Sequence, residues 1–303
     1  MAVKPQFFAR VGRVPQIILG LLLVTVWWPI AWTQFRPSSD YYFFPLWLGF
    51  ILTIDGIVRL RTDTSLWTRD RGRFLLLFVC SVPFWWIFEW MNRYLGDWHY
   101  VAPSDYSTFW YVVLASIAFS TVVPAVLEAT ELLASLRVGE RLPNLPAWRL
   151  STRDILAFEL LGWIMLALVI LFPRYAFPLA WLSIFFIVEP INAYGGQRSI
   201  GNFVRQGNWQ SLWNLMLATV FTGFFWEMWN YFSMPKWTYS VPFVGFAHLF
   251  EMPLLGYTGY LPFGLEVFSM FGIIFLIVFR SPQHYAVLSS VDADEVTTGS
   301  STT

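Results

Sequence analysis

Long stretches almost free of charge recur along this chain, and they restrict its fold more than any other feature. A helix needs about 20 apolar residues to cross a hydrocarbon core about 30 Å thick. Inside a bilayer, every backbone polar group must be satisfied within a helix or a closed barrel. About eight stretches have the required length: 15–34, 41–60, 74–94, 107–134, 155–172, 175–193, 212–232 and 260–280. The sequence therefore predicts an all-α, polytopic membrane helical bundle of about eight transmembrane helices.

The composition is typical of a membrane protein and argues against several other classes. The 303 residues are 57% hydrophobic and 13% charged with a formal net charge of zero, so nucleic acid is not an expected partner. Three histidines are too few for the histidine boxes of membrane di-iron enzymes. We predict no cofactor and no metal. The expected partners are membrane lipids and a hydrophobic small molecule, and a homo-oligomer or a larger membrane complex stays an alternative to a monomer.

The distribution of Lys and Arg predicts the orientation of the bundle. Cytoplasmic loops of membrane proteins carry an excess of these residues. If both termini are cytoplasmic and the loops alternate, only four of the 19 basic residues fall outside: Arg36, Arg93, Arg174 and Lys236. The sequence therefore predicts a multi-pass protein of the cell membrane, of the bacterial inner-membrane type, with cytoplasmic N- and C-termini.

Two parts of the chain match at a shift of 138 residues, the separation of Glu89 and Glu227. At that shift Asn92 matches Asn230, Pro124 matches Pro262, Leu127 matches Leu265 and Glu128 matches Glu266. One insertion later, Trp98 and Tyr100 match Trp237 and Tyr239. We predict two tandem four-helix repeats. The first repeat and a cytoplasmic linker occupy 1–150, the second repeat occupies 151–282, and a disordered polar tail follows at 283–303.

The repeated Glu and Asn residues are the strongest functional signal. Residues at i and i+3 share one helical face, so each Glu–Asn pair should point into the bundle. A charged group at the bilayer centre costs about 2.5–3.5 kcal/mol, and it usually faces a cavity or a partner. We therefore predict a site at Glu227, Asn230 and Glu266, with a copy at Glu89, Asn92 and Glu128. The structural alternative is an interhelical hydrogen bond, which contributes about 0.6 kcal/mol on average.

Other polar residues lie within or beside the predicted spans. Glu189 and Asn192 form a third pair at i and i+3, and Asp55 occupies roughly the matching place in the first half. His248 and Glu251 share the same spacing, but two ligands are too few for a metal site. We assign this last pair to substrate binding, with a hydrogen-bonded surface pair as the alternative.

Aromatic residues surround these carboxylates. The segments "FWWIFEW" and "FFWEMW" place aromatic rings on both sides of Glu89 and Glu227. Trp and Tyr commonly belt the membrane interface, which would explain part of this pattern. Aromatic faces also favour cations, so such a pocket could stabilise a carbocation or hold an elongated polyene. We assign substrate binding to Asn230, Asn92, Trp237, Tyr239, Trp98, Tyr100 and Trp226.

The order of these motifs resembles that of the small all-helical lycopene β-cyclases of the bacterial heterodimeric and fungal type. The resemblance lies in "FWEMWN", then "KWTY", then "LPFGLE", with "FEWMN", "DWHY" and "VPAVLE" as a copy. It implies a redox-neutral isomerase in which carboxyl groups add and remove a proton on an isoprenoid. It implies catalytic roles for Glu227, Glu266, Glu89 and Glu128.

Two other functions stay open. A proton-coupled membrane transporter could use Glu89, Glu227, Asp55 and Glu189 as a relay. A non-catalytic pigment- or lipid-binding subunit would need the aromatic pocket alone. The segments 103–121 and 241–258 are also open to two interpretations, as interfacial or re-entrant segments or as parts of spanning helices.

Overall fold

A computed structural model describes residues 14–102, 106–280 and 285–292 of the chain. The helices are α1 Val14–Trp32, α2 Phe43–Thr62, α3 Leu66–Arg69, α4 Arg71–Leu95, α5 Thr108–Phe119, α6 Val122–Ser135, α7 Thr152–Leu171, α8 Pro173–Ala176, α9 Ala180–Tyr194, α10 Ile200–Gln206, α11 Trp209–Tyr231 and α12 Tyr260–Phe279. The strands are β1 Trp98–Val101, β2 Lys236–Tyr239, β3 His248–Leu249 and β4 Met252–Pro253. The described chain is therefore mainly helical, as predicted.

Seven helical segments of the described chain are long and apolar enough to cross a membrane. They are α1, α2, α4, α5 continued into α6, α7, α8 continued into α9, and Leu254–Phe279, which ends in α12. The remaining predicted span, 212–232, forms α11, which has 23 residues but is not among the seven. Its length suffices, but polar residues such as Asn214, Glu227 and Asn230 lower its mean hydropathy.

Helix starts recur at matching distances along the chain. α2 and α9 begin at Phe43 and Ala180, α4 and α11 at Arg71 and Trp209, and α6 and α12 at Val122 and Tyr260. The packing recurs as well. α1 lies against α2 as α7 lies against α9, and α6 contacts α2 and α4 as α12 contacts α9 and α11.

One element breaks this correspondence. Residues 108–119 form α5, which runs into α6 after a break at Ser120 and Thr121. The matching region, 241–258, instead contains the β3–β4 hairpin and the start of a 3₁₀ turn at Leu254–Gly259. The two segments for which we left two interpretations open therefore differ from each other.

The strands β1 and β2 join the two halves of the molecule. They pair antiparallel, with Trp98 opposite Tyr239, His99 opposite Thr238 and Tyr100 opposite Trp237. The pairing is symmetric. Each strand has the order Trp-x-Tyr, and each Trp lies opposite the Tyr of the other strand. We call this two-stranded sheet the central ribbon, and the end of the bundle that carries it the ribbon end.

Of the predicted disordered tail at 283–303, residues 285–292 are packed against the bundle, and the other residues lie outside the described part of the chain. Tyr285, Ala286 and Leu288 are buried, and Asp292 lies 3.1 Å from the guanidinium of Arg198. The main-chain nitrogen of Val287 donates to Glu131 at 2.9 Å. Three buried apolar side chains and an ion pair hold this segment in place. The polar composition of the tail as a whole did not indicate this packing.

Candidate functional site

A cavity of about 460 Å³ lies at the ribbon end, within the size range of small-molecule sites. Both halves of the chain contribute aromatic rings to its wall, among them Trp85, Trp98, Tyr100, Trp237, Tyr239 and Tyr260. The predicted binding residue Trp226 also lines it, and its ring centroid lies 6.0 Å from that of Tyr260. The cavity is therefore an aromatic chamber between the two halves.

Glu227 lies behind this wall on α11 and is fully buried. Its Oε1 accepts hydrogen bonds from the hydroxyls of Tyr239 at 2.7 Å and Tyr260 at 2.8 Å. Trp237 Nε1 donates to the Tyr239 hydroxyl at 2.8 Å, which extends the chain of hydrogen bonds. Glu227 Oε2 has no hydrogen-bond partner among the described residues. One carboxyl oxygen is thus held by two cavity-lining phenols while the other retains its full acceptor capacity.

Glu89 occupies the corresponding place on α4. Its Oε1 accepts from Trp85 Nε1 at 3.0 Å, from Trp98 Nε1 at 3.1 Å and from the Tyr100 hydroxyl at 2.7 Å. All three donors belong to rings that line the cavity. One carboxyl oxygen of Glu89 therefore accepts all three hydrogen bonds.

The two predicted Asn residues position the ribbon. Asn230 Nδ2 donates to the carbonyl of Trp237 at 2.7 Å, and its Oδ1 accepts from the main-chain nitrogen of Trp237 at 2.8 Å. Asn92 makes the same pair of contacts with Trp98, at 2.8 and 3.3 Å. The Asn side chains therefore fix each W-x-Y strand one helical turn beyond the carboxylate, and they do not line the cavity. The contacts that the structure gives them are structural, and their part in substrate binding stays a prediction.

Glycines allow Tyr260 to reach Glu227. A Cβ atom at Gly223 would lie 2.6 Å from the ring of Tyr260, and one at Gly264 would lie 2.2 Å from the carbonyl oxygen of Leu215. α11 and α12 can therefore approach closely only because these positions lack a side chain.

The phenols of the ribbon remain hydrogen donors. Burial and the nearby carboxylate of Glu227 raise the pKa of Tyr239 far above its usual range. Burial and Glu89 do the same to the pKa of Tyr100. Because neither phenol ionises near neutral pH, each can donate to its carboxylate throughout the physiological range.

Glu266 and Glu128 are not part of these hydrogen-bonded groups. Both are fully buried, and no hydrogen bond joins either carboxyl group to the residues that hold Glu227 or Glu89. Neither residue lines the cavity. The electrostatic neighbours of Glu128 are Asp55, Glu131 and Arg69, and the last two form an ion pair. The expectation that Glu227 joins Glu266, and Glu89 joins Glu128, in one cluster is therefore not what the geometry supports.

The remaining predicted residues lie beside the cavity. Glu251 Oε1 lies 2.5 Å from Lys236 Nζ, so it neutralises a lysine of the cavity wall. His248 is exposed on β3, opposite Pro253. Within the described ranges no group of three or more His, Cys, Asp or Glu residues could hold a metal ion.

Asp55 and Glu189 accept hydrogen bonds from the main chain of short helices, a role that their spacing in the sequence did not indicate. Asp55 accepts from the main-chain nitrogen of Trp67 at 3.0 Å, and Glu189 accepts from that of Gly201 at 2.8 Å. Each donor lies 12 residues beyond its carboxylate, in the first turn of a short helix, α3 or α10. These two carboxylates therefore cap short helices, at the opposite end of the bundle from the ribbon.

Sequence reasoning missed two donors, Trp85 and Tyr260. Trp85 is four residues before Glu89 on α4, so helical spacing could have identified it. Tyr260 comes from a different helix, 33 residues beyond Glu227, and no spacing rule connects the two.

Comparisons with models of protein families, with curated proteins and with solved structures give no match for this chain.

Proposed function

We propose that this membrane protein binds an elongated hydrophobic molecule, of the isoprenoid, carotenoid or lipid type, in the aromatic cavity at the ribbon end. The observation that carries the proposal is that the hydrogen donors of two buried carboxylates line one cavity wall. A cavity built only for packing would not need two buried carboxylates, since each costs free energy to bury. Lining rings from both halves supply the apolar surface for the ligand.

The proposed chemistry is acid–base and redox-neutral. A proton held by the Glu227 carboxyl passes through the Tyr260 hydroxyl to one carbon of an alkene. The electron pair of a second alkene then closes on the resulting cation, and a proton leaves the neighbouring carbon for a carboxylate. No atom is oxidised or reduced, and the product is an isomer of the substrate. Glu266 and Glu128 have no part in this scheme because they do not line the cavity.

The tandem repeat and the membrane orientation belong to the same proposal. Two repeats would explain why α4 and α11 each end in a carboxylate, an Asn and a W-x-Y strand. The Arg and Lys distribution favours cytoplasmic termini in a cell membrane of the bacterial inner-membrane type. In that orientation the ribbon and its cavity would face the outer side.

The experiment is expression in a host that makes linear carotenoid precursors, followed by mass spectrometry of copurified and total isoprenoids. We expect the wild type to bind a hydrophobic molecule and to form an isomer of unchanged mass. Glu227→Gln should abolish the isomer, and Glu140→Gln, which removes a carboxylate at the opposite end of α11, should not. Full isomer formation by a folded Glu227→Gln variant would contradict the proposed chemistry.

A second candidate is proton-coupled transport, which the carboxylates at the opposite end of the bundle favour. Glu128, Asp55 and Glu131 lie together there, and Glu189 occupies the second half. With the ribbon carboxylates they form two tiers along the bundle. Proton-dependent flux of a hydrophobic solute in proteoliposomes would support this candidate over an enzyme. A stably bound chromophore with neither flux nor product would instead indicate a pigment-binding subunit.

A further inference from the structure

We infer that the aromatic cavity prefers a large organic cation to a neutral molecule of the same shape. The chemical class is a lipophilic cation, such as a quaternary ammonium group on an apolar body. This inference rests on the proposed binding function of the same cavity, and it adds a charge selectivity that the proposed function does not require.

The first support is the buried negative charge that Glu89 and Glu227 carry, without a counter-charge, whenever they do not hold the proton of the proposed chemistry. Glu89 and Glu227 are 9% and 0% exposed, and neither forms an ion pair within the described part of the chain. Their hydrogen-bond donors are neutral phenols and indoles. Neutral donors spread the charge, but they do not cancel it.

The charged residues nearest the cavity do not reverse this sign. Lys236 is paired with Glu251 at 2.5 Å, and Asp40, which also lines the cavity, is paired with Arg36 at 3.0 Å. Arg93 lies one turn beyond Glu89 on α4 but is exposed, where solvent or lipid headgroups screen its charge. In their ionised form the two unpaired carboxylates therefore dominate the potential inside the cavity.

The second support is the chemistry of the wall between carboxylate and cavity. Aromatic faces attract cations by about 0.5–2 kcal/mol each, and the larger values occur in desolvated sites. A phenol or indole that donates its hydrogen to a carboxylate has a more electron-rich ring. Trp98 and Tyr100 are in this state beside Glu89, as are Tyr239 and Tyr260 beside Glu227.

The same wall selects for size. Because Glu89 and Glu227 lie behind the rings, a ligand in the cavity meets the rings before it meets either of these carboxyl groups. A small metal ion would lose its hydration shell without gaining oxygen ligands. A large, weakly hydrated organic cation loses little hydration and gains contact with the rings.

The test uses benzyltrimethylammonium and neopentylbenzene, which share one shape and differ by a positively charged nitrogen in place of a carbon. Binding to the full-length protein in lipid nanodiscs is measured by quenching of tryptophan fluorescence, with empty nanodiscs as the reference for partitioning. We expect the cation to bind at least about tenfold more tightly, which corresponds to about 1.4 kcal/mol. Equal affinities would overturn the inference while leaving the binding function intact. Binding of neither probe would overturn the proposed function as well.

Variants locate the selectivity. Glu89→Gln and Glu227→Gln should each lower the cation-to-neutral affinity ratio several-fold. Glu140→Gln makes the same change of charge at the opposite end of α11 and should leave the ratio unchanged. An unchanged ratio in the Glu89→Gln, Glu227→Gln double variant would refute the assignment to these carboxylates. If a variant fails to fold, the comparison of the two probes on the wild type still decides the inference.

Discussion

Glu89 and Glu227 occupy matching places in the two halves, yet they are reached by different donors. In the first half, Trp85 of the same helix donates to Glu89, and Val122 starts the neighbouring helix α6. In the second half Gly223 replaces the Trp, and Tyr260 replaces the Val. The absence of a side chain at Gly223 leaves the space into which the Tyr260 ring fits.

This exchange shows what the two halves hold in common. The donor can come from either helix and can be an indole or a phenol, but in both halves its ring lines the cavity and its hydrogen reaches the carboxylate. The halves also differ in the number of hydrogen bonds that the carboxylate accepts. Glu89 Oε1 accepts three hydrogen bonds, whereas Glu227 Oε1 accepts two. Glu227 is therefore the better candidate for proton exchange.

The largest expected effect separates the two carboxylates in the proposed chemistry. Glu227→Gln should lower the rate of isomer formation by at least about 100-fold, the usual contribution of a general acid or base. Glu89→Gln should lower it by less than about tenfold, since its three donors hold that carboxylate in place. The rates are measured by isomer yield per folded protein. Equal losses of rate in the two variants would mean that the number of hydrogen bonds to each carboxylate does not decide which one takes part in the chemistry.

The next effect tests whether Gly223 and Tyr260 together replace Trp85 and Val122 of the first half. Gly223→Trp alone should destabilise the protein by about 1–3 kcal/mol or more, because the new side chain overlaps the Tyr260 ring. Adding Tyr260→Val rebuilds the arrangement of the first half and should restore most of the loss. Thermal unfolding in detergent measures both variants. If the double variant is no more stable than the single one, the two positions do not compensate each other.

A smaller effect concerns the two Asn residues. Asn230→Ala leaves the main chain of Trp237 without its partners and should cost about 1–3 kcal/mol. Asn92→Ala should cost less, because Asn92 is only partly buried whereas Asn230 is fully buried. Asn144→Ala, at an exposed position, is the matched control. Unfolding by denaturant ranks the three, and a cost for Asn92→Ala above that for Asn230→Ala would contradict this account.

The smallest effect concerns Asp97, which directly precedes Trp98 at the start of β1. In the second half of the sequence, Lys236 occupies the matching position before Trp237. Burial raises the pKa of Asp97 to about 6, above its value in an unfolded chain. The stability it contributes is therefore present at low pH and lost as pH rises through about 6. Asp97→Asn should raise the melting temperature at pH 7.5, and the gain should shrink at pH 5. A gain that is the same at both pH values would rule out titration of Asp97 as its cause.

Most of the fold was accessible from the sequence because hydrophobic length and matched polar residues are local signals. The positions of Glu89, Asn92, Glu227 and Asn230 followed from that pattern. The grouping of the carboxylates did not, because equal spacing along the chain says nothing about contacts between helices. Tyr260 was missed for the same reason: its place depends on the close approach of α11 and α12 at Gly264. The packed segment 285–292 was missed because its partners Arg198 and Glu131 are far away in the sequence.

The most direct test of the central claim is a high-resolution density map of the protein purified in nanodiscs from a membrane that contains isoprenoids. We predict elongated, non-protein density in the cavity at the ribbon end, in contact with the rings of Tyr239, Tyr260 and Tyr100. The same map should show the Glu227 and Glu89 carboxylates hydrogen-bonded behind those rings. A cavity filled by ordered water or by collapsed aromatic side chains, with isoprenoids present in the sample, would contradict the claim.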